Sequence, residues 1–165
     1  RINSAIFPYY QGGPLEHIVG AKAICFKEAM TPEFKQYITN VVLNTKICAD
    51  ELERLGCKVS CTENHLFLLN VLDSFGINGL TAQNKLQEIH ITTNKNMIPG
   101  DTLKPNKTSG IRIGFAACTT RGCTSDDAKE IAHLIYDYLK ENITQEKGLN
   151  KTLELTSKWK KIEEI

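Results

Sequence analysis

The chain has almost no excess charge: 20 Lys and Arg stand against 19 Asp and Glu, for a formal net charge of +1. That excludes the basic footprint expected of a nucleic-acid binder or of a protein drawn to an anionic membrane. The lysines of the closing "KWKKIEEI" are offset by the acids that follow and read as a solvated helix face. It has no apolar run of about 18 residues, so no membrane-spanning helix is expected. "RINSAIFPYYQGGP" lacks a basic start followed by an apolar run, so it is not a secretory leader. A methionine start is missing as well, which suggests a fragment. No phosphate-binding P-loop, nucleophile elbow or H-E-x-x-H helix occurs.

The six cysteines are even in number, yet a chain this large and core-rich, without a leader, points to thiols and a cytoplasmic setting. Cys25 and Cys48 sit at helical spacing among apolar residues and read as small core hydrophobes. Cys57-x3-Cys61 and Cys118-x4-Cys123 miss the tight spacing of zinc knuckles. Even with His65 nearby, no metal is expected, although a zinc-binding structural domain is one alternative. The sequons at Asn106, Asn142 and Asn150 carry no weight without a leader.

Hydrophobic periodicity supplies the elements. Residues 1–13, with Pro8, Gly12 and Gly13, read as an ordered loop. Pro14 opens a helix to about Ala29 with Ile18, Ala21, Ile24, Cys25 and Ala29 in its stripe. Thr31-Pro32-Glu33 restarts a helix that Gly56 ends. Strands are expected over Lys58–Cys61, Leu66–Val71 and "HITTN", His90–Asn94. Thr81 caps a short helix, and Thr124 with Asp127 opens another, from Asp126 to about Glu141. A last helix carries Leu149, Leu153, Leu155 and Trp159. The fold class is α/β, with helices packed on a small, mainly antiparallel sheet.

Three stretches stand out. In "TSGIRIGFAACTTRG", Arg112 lies between Ile111 and Ile113, in a strand bounded by Gly110 and Gly114. An arginine in a buried strand needs an anion. A structural carboxylate is one answer, and bidentate recognition of a ligand carboxylate is the other. The glycines would admit a ligand or a second backbone. "FPYYQGGP" places two bare backbone units before a helix, which makes either a phosphate seat or a turn. "TNKN", Thr93 to Asn96, can bind a ligand edge or simply turn the chain. His17, His90 and His133 read as structural.

Together with "NHLFLLNV" and "GLTAQNKLQEIHITTNKNMIP", these stretches resemble the carboxyl-terminal part of serine hydroxymethyltransferase across nearly the whole chain. The resemblance implies a pyridoxal 5′-phosphate enzyme of the aspartate-aminotransferase type (fold type I). Such an enzyme interconverts serine and glycine, with tetrahydrofolate as one-carbon acceptor. It implies a chain divided into residues 1–30, the end of the large domain, and 31–165, the small domain, within a homodimer or higher oligomer. By resemblance, Arg112 holds the substrate α-carboxylate. Gly12 and Gly13 reach the cofactor phosphate of the partner subunit, Asn96 contacts the pterin of folate, and Phe7 approaches the folate site. Arg121 matches a structural arginine.

The sequence departs from the family pattern at Tyr9, in "SCTENH", at Lys104 and Asn106, and at Phe115. No lysine lies in the threonine-rich context of the family's Schiff-base lysine, which falls upstream, so the chain alone is expected to be inactive. The alternative from another class is a stand-alone binding module that keeps the small-domain fold without catalysis.

Overall fold

The computed structural model describes residues 1–60, 63–161 and 163. The chain divides into two compact units, Arg1–Gln36 and Tyr37–Ile165.

In the first unit, α1 (Ile2–Ser4) leads into an irregular helical segment, Ala5–Tyr10, where an ordered loop over residues 1–13 is expected. Phe7 breaks its regularity with an extended backbone (φ −132, ψ 129), and the Phe7–Pro8 peptide is cis. Helix α2 spans Glu16–Ala29 rather than starting at Pro14, because Leu15 is still extended (φ −91, ψ 93). Every residue of this unit is exposed. The α2 stripe forms as a helix face but meets no apolar partner within its unit. Cys25, expected in a core, is therefore exposed.

Helix α3, Pro32–Arg54, begins as its sequence demands: the Thr31 hydroxyl accepts from the Phe34 N–H at 3.2 Å. It ends at Gly56, whose φ of +90 suits glycine. In the second unit α3 buries Val41, Asn44, Thr45, Cys48, Ala49 and Leu52 on one face. Strand β1 (Lys58–Ser60) follows, and the expected extension to Cys61 lies outside the described residues. Then come β2 (Leu66–Asn70), α4 (Val71–Phe75) and α5 (Gly79–Glu88). Helix α4 was not expected. Asn70 caps it by accepting from the Asp73 N–H, and Gly76 at φ +72 stops it. The cap of α5 is Asn78, not Thr81: the Thr81 N–H is the orphan donor, and the Asn78 side chain accepts it at 3.0 Å.

The strand expected over His90–Asn94 is displaced. His90 adopts a left-handed turn (φ 61) after α5, Ile91 to Thr93 join no strand ladder among the described residues, and β3 is Asn94–Asn96. After a long loop, β4 runs Gly110–Gly114, followed by the unexpected short α6 (Ala116–Thr120). Helix α7, Ser125–Leu139, has a complete capping box between Thr124 and Asp127. Helix α8 spans Gln145–Ser157, and Trp159 lies past its end, with its indole N–H donating to Asp127 Oδ2 at 3.0 Å.

The described residues form one antiparallel sheet in the order β1-β2-β4-β3. One face presents Phe67, Leu69, Ile111 and Ile113, all buried. They join Cys48 and Leu52 of α3, Ala82 and Leu86 of α5, Ala132 and Ile135 of α7 and Leu155 of α8 in a single core. Burying each large side chain there stabilises the fold by about 1.5–3 kcal/mol before entropy is counted. Strand alternation then turns Arg112 to the opposite face.

Candidate functional site

Arg112 sits in the middle of β4, opposite Leu68 of β2 and Asn94 of β3. Directly opposed residues share a face, as do residues two apart on one strand. Arg112, Asn94 and Asn96 therefore share one face of the sheet, since Asn96 pairs with Gly110. The arginine is exposed rather than buried, so its charge stays hydrated. Among the described residues its side chain makes no ion pair and no hydrogen bond. The structural carboxylate that could have answered it is not among them.

The arginine opens onto a cleft of about 310 Å³ lined by His65, Thr92, Thr93, Asn94, Gly114 and Ala117, among others. No aspartate or glutamate contributes to that lining. Thr93 has the one buried side-chain oxygen, Oγ1, without a hydrogen-bond partner among the described residues. Leaving such a hydroxyl unpaired costs about 1–3 kcal/mol. The sequence offers Thr93 only as part of "TNKN" and His65 only as a candidate metal ligand; what marks them here is the packing around them.

The flanking glycines answer to the chain's own packing. A Cβ at Gly114 would come within 2.9 Å of the His65 carbonyl oxygen. One at Gly110 would come within 2.5 Å of Ile98 Cγ2 and 3.1 Å of the Asn96 carbonyl oxygen. Of the two expectations for them, close approach of other chain atoms is the one the structure displays. Phe115, just past the strand, is buried in the core and turned from solvent.

Polar side chains hold α6 and the turn into α7, beyond the end of β4. The Asn44 side-chain nitrogen donates to Thr119 Oγ1 (3.1 Å) and to the Cys123 carbonyl (3.0 Å), while its oxygen accepts from Ser125 Oγ (3.2 Å). Tyr37 donates to the Ala116 carbonyl at 3.3 Å. Arg121 donates through Nε to the Lys160 carbonyl (3.0 Å) and lies over the Trp159 ring, as a structural arginine should. His133 donates to Glu51, which also takes two bonds from Arg54. Burial pushes the thiols of Cys48, Cys118 and Cys123 upward, Cys123 to about 12, so these cysteines are poor nucleophiles. No group of three metal-ligating side chains occurs among the described residues, and Cys61 lies outside them.

Asn96 is half-buried and donates its side-chain N–H to the Met97 carbonyl at 2.7 Å. Its Oδ1 takes no hydrogen bond among the described residues. The structure thus brings Asn96 and Arg112 to one sheet face. Phe7, Gly12 and Gly13 belong to the first unit, where all three are exposed. A Cβ at Gly12 or Gly13 would meet nothing within 4 Å, so their backbone is open to an incoming group. No helix among the described residues is long and apolar enough to cross a membrane. The family model of serine hydroxymethyltransferase matches residues 1–135, most of the chain, and the chain belongs to that transferase family.

Proposed function

We propose that the chain is the carboxyl-terminal part of a cytoplasmic, pyridoxal 5′-phosphate-dependent glycine hydroxymethyltransferase. It interconverts serine and glycine, with tetrahydrofolate as one-carbon acceptor. Residues 1–30 close its large domain, residues 31–165 form its small domain, and the complete enzyme is a homodimer or higher oligomer. The observation that carries this reading is the exposed Arg112, unpaired in a cleft without acids, in a chain of this family.

Arg112 binds the α-carboxylate of serine or glycine through two parallel N–H bonds, which fix both position and rotation. Asn94, Thr92 and the orphan Thr93 hydroxyl supply polar atoms around that anion. Asn96 offers its free Oδ1 to donors on the pterin, and Phe7 covers folate from a neighbouring subunit. The open backbone of Gly12 and Gly13 fits a phosphate, and their N–H groups would hold it. When bound, the cofactor supplies an electron sink for the pair released at the amino-acid α-carbon.

The test is Arg112→Ala and Arg112→Lys in the complete enzyme. Both should lower kcat/KM for serine about a hundredfold or more, because a point charge lacks the fork. Near-normal serine kinetics in either variant would return Arg112 to a structural role.

A further inference from the structure

The loop of residues 97–109 leaves β3 at Asn96 and returns into β4 at Gly110, and those two residues are ladder partners. A free loop of this length samples many shapes. This one is gathered on a single side chain. Asp101 Oδ1 accepts from the Leu103 N–H (2.8 Å) and the Ser109 hydroxyl (2.7 Å). Asp101 Oδ2 accepts from the Ile98 N–H (3.2 Å) and the Ser109 N–H (2.9 Å). One carboxylate therefore ties the outgoing limb, the tip and the returning limb, with charge-assisted bonds throughout.

The returning limb is separately anchored. The Ser109 carbonyl accepts from the Leu72 N–H at 3.1 Å, and the Thr108 carbonyl from the Gly79 N–H at 2.9 Å. Ser109 and Thr108 are both buried. The outgoing limb is joined to that anchor through Asp101. Ile98, whose N–H it holds, follows Met97, whose carbonyl orients the Asn96 side chain.

We propose that Asp101 is a positioning residue for the folate side of the site: it fixes Met97–Ile98 so that the Asn96 side chain presents Oδ1 to the pterin. The inference rests on the function proposed above, and it assigns Asp101 a role beyond the fold. Asparagine at position 101 keeps the shape but turns an N–H₂ toward N–H donors, so at least one limb is released.

The experiment measures tetrahydrofolate and serine kinetics in the complete enzyme carrying Asp101→Asn, Ser109→Ala, Asn96→Ala or Asp127→Asn. Asp101→Asn should raise KM for tetrahydrofolate about tenfold while KM for serine stays within about twofold. Ser109→Ala, which removes one of the four bonds, should shift the folate KM in the same direction by less. Amide hydrogen exchange at Ile98, Leu103 and Ser109 should quicken in Asp101→Asn, while the β2–β4 ladder keeps its protection. Asp127→Asn, which exchanges the charged acceptor of the α7 capping box for a neutral one and so weakens it, should lower Tm and leave the folate KM alone.

An unchanged folate KM or unchanged exchange in Asp101→Asn overturns the proposal. So do folate and serine KM values that rise together, or an equal folate effect in Asp127→Asn. If Asn96→Ala itself leaves the folate KM unmoved, the folate reading of this face fails, and the role of Asp101 with it. If Asn96→Ala acts and Asp101→Asn does not, only Asp101 was misassigned. Should Asp101→Asn not fold, Ser109→Ala decides by the same criteria.

Discussion

Asp101 shows how one side chain's surroundings set its acid–base behaviour. Burial alone would raise its carboxyl pKa, but bonds from the Ser109 side chain and from the backbone of Ser109, Leu103 and Ile98 overcome that and hold it at about 2. Asp127 is lowered in the same way, by the Thr124 N–H, the Trp159 indole and the Thr124 hydroxyl against burial. A depressed pKa means that the unfolded chain binds the proton first. The stability these groups add is complete above the ordinary carboxylate range, near 4, and is lost as pH falls toward 2. Tm measured from pH 7 down to pH 3 should therefore decline, and the decline should be shallower in Asp101→Asn. An unaltered slope would mean that the four bonds do not persist in solution. Glycine offers a second residue-scale test. Gly79→Ala should destabilise more than Gly114→Ala. A Cβ at Gly79 would strike both Thr108 Oγ1 and the Gly110 carbonyl, whereas at Gly114 it meets one carbonyl at 2.9 Å. Thermal melts of the two variants decide the order.

Among elements, α7 is one whose start is written locally, in a complete capping box. Thr124 and Asp127 satisfy each other's backbone N–H groups, so Thr124→Ala should cost about 1 kcal/mol, read as a fall in Tm of a few degrees. A fall below one degree would show that the cap is redundant. The same locality made Thr31, Gly56 and the alternation of Ile111 and Ile113 readable from sequence, since each signal lies within a few residues of its effect. β3 was not readable in that way. "HITTN" carries the β-branched residues, yet the paired strand is the polar Asn94–Asn96, selected by its ladder with β4 and by Gln83, which accepts from the Lys95 N–H. Asn78 took the cap expected of Thr81, a matter of three residues that propensity does not resolve. At the site, Arg112 and Asn96 were legible through the resemblance. Thr93 was legible only as part of "TNKN", His65 only as a candidate metal ligand, and Asp101 not at all, because an orphan hydroxyl, a cleft wall and a four-bond carboxylate exist only once distant segments meet. Cys25 failed for a related reason: its helix face is apolar, but periodicity does not say whether a partner is present.

At the scale of the whole molecule, the two units differ in what sustains them. Residues 1–36 contain no buried side chain, while the second unit has the core built on Phe67, Leu69 and Ile111. A helix of the length of α2, without packing, is marginal in water. Limited proteolysis of the 165-residue chain should therefore cut within residues 1–36 first and leave a resistant body starting near Tyr37. Equal resistance throughout would show that the first unit finds cover. The same chain mixed with pyridoxal phosphate, tetrahydrofolate and serine should give no turnover, because no lysine in it matches the family's Schiff-base position. Catalysis there would sink the assignment of the missing chemistry to upstream residues. The tie at Asp101 has a consequence for divergence. Three of its four partners are backbone N–H groups, and Thr102, Lys104, Pro105, Asn106 and Lys107 all stay exposed between them. The loop's shape is thus written in main-chain atoms that every amino acid but proline provides. Lys104 and Asn106 sit where the lettering of the surface can be rewritten while the frame beneath it keeps its shape.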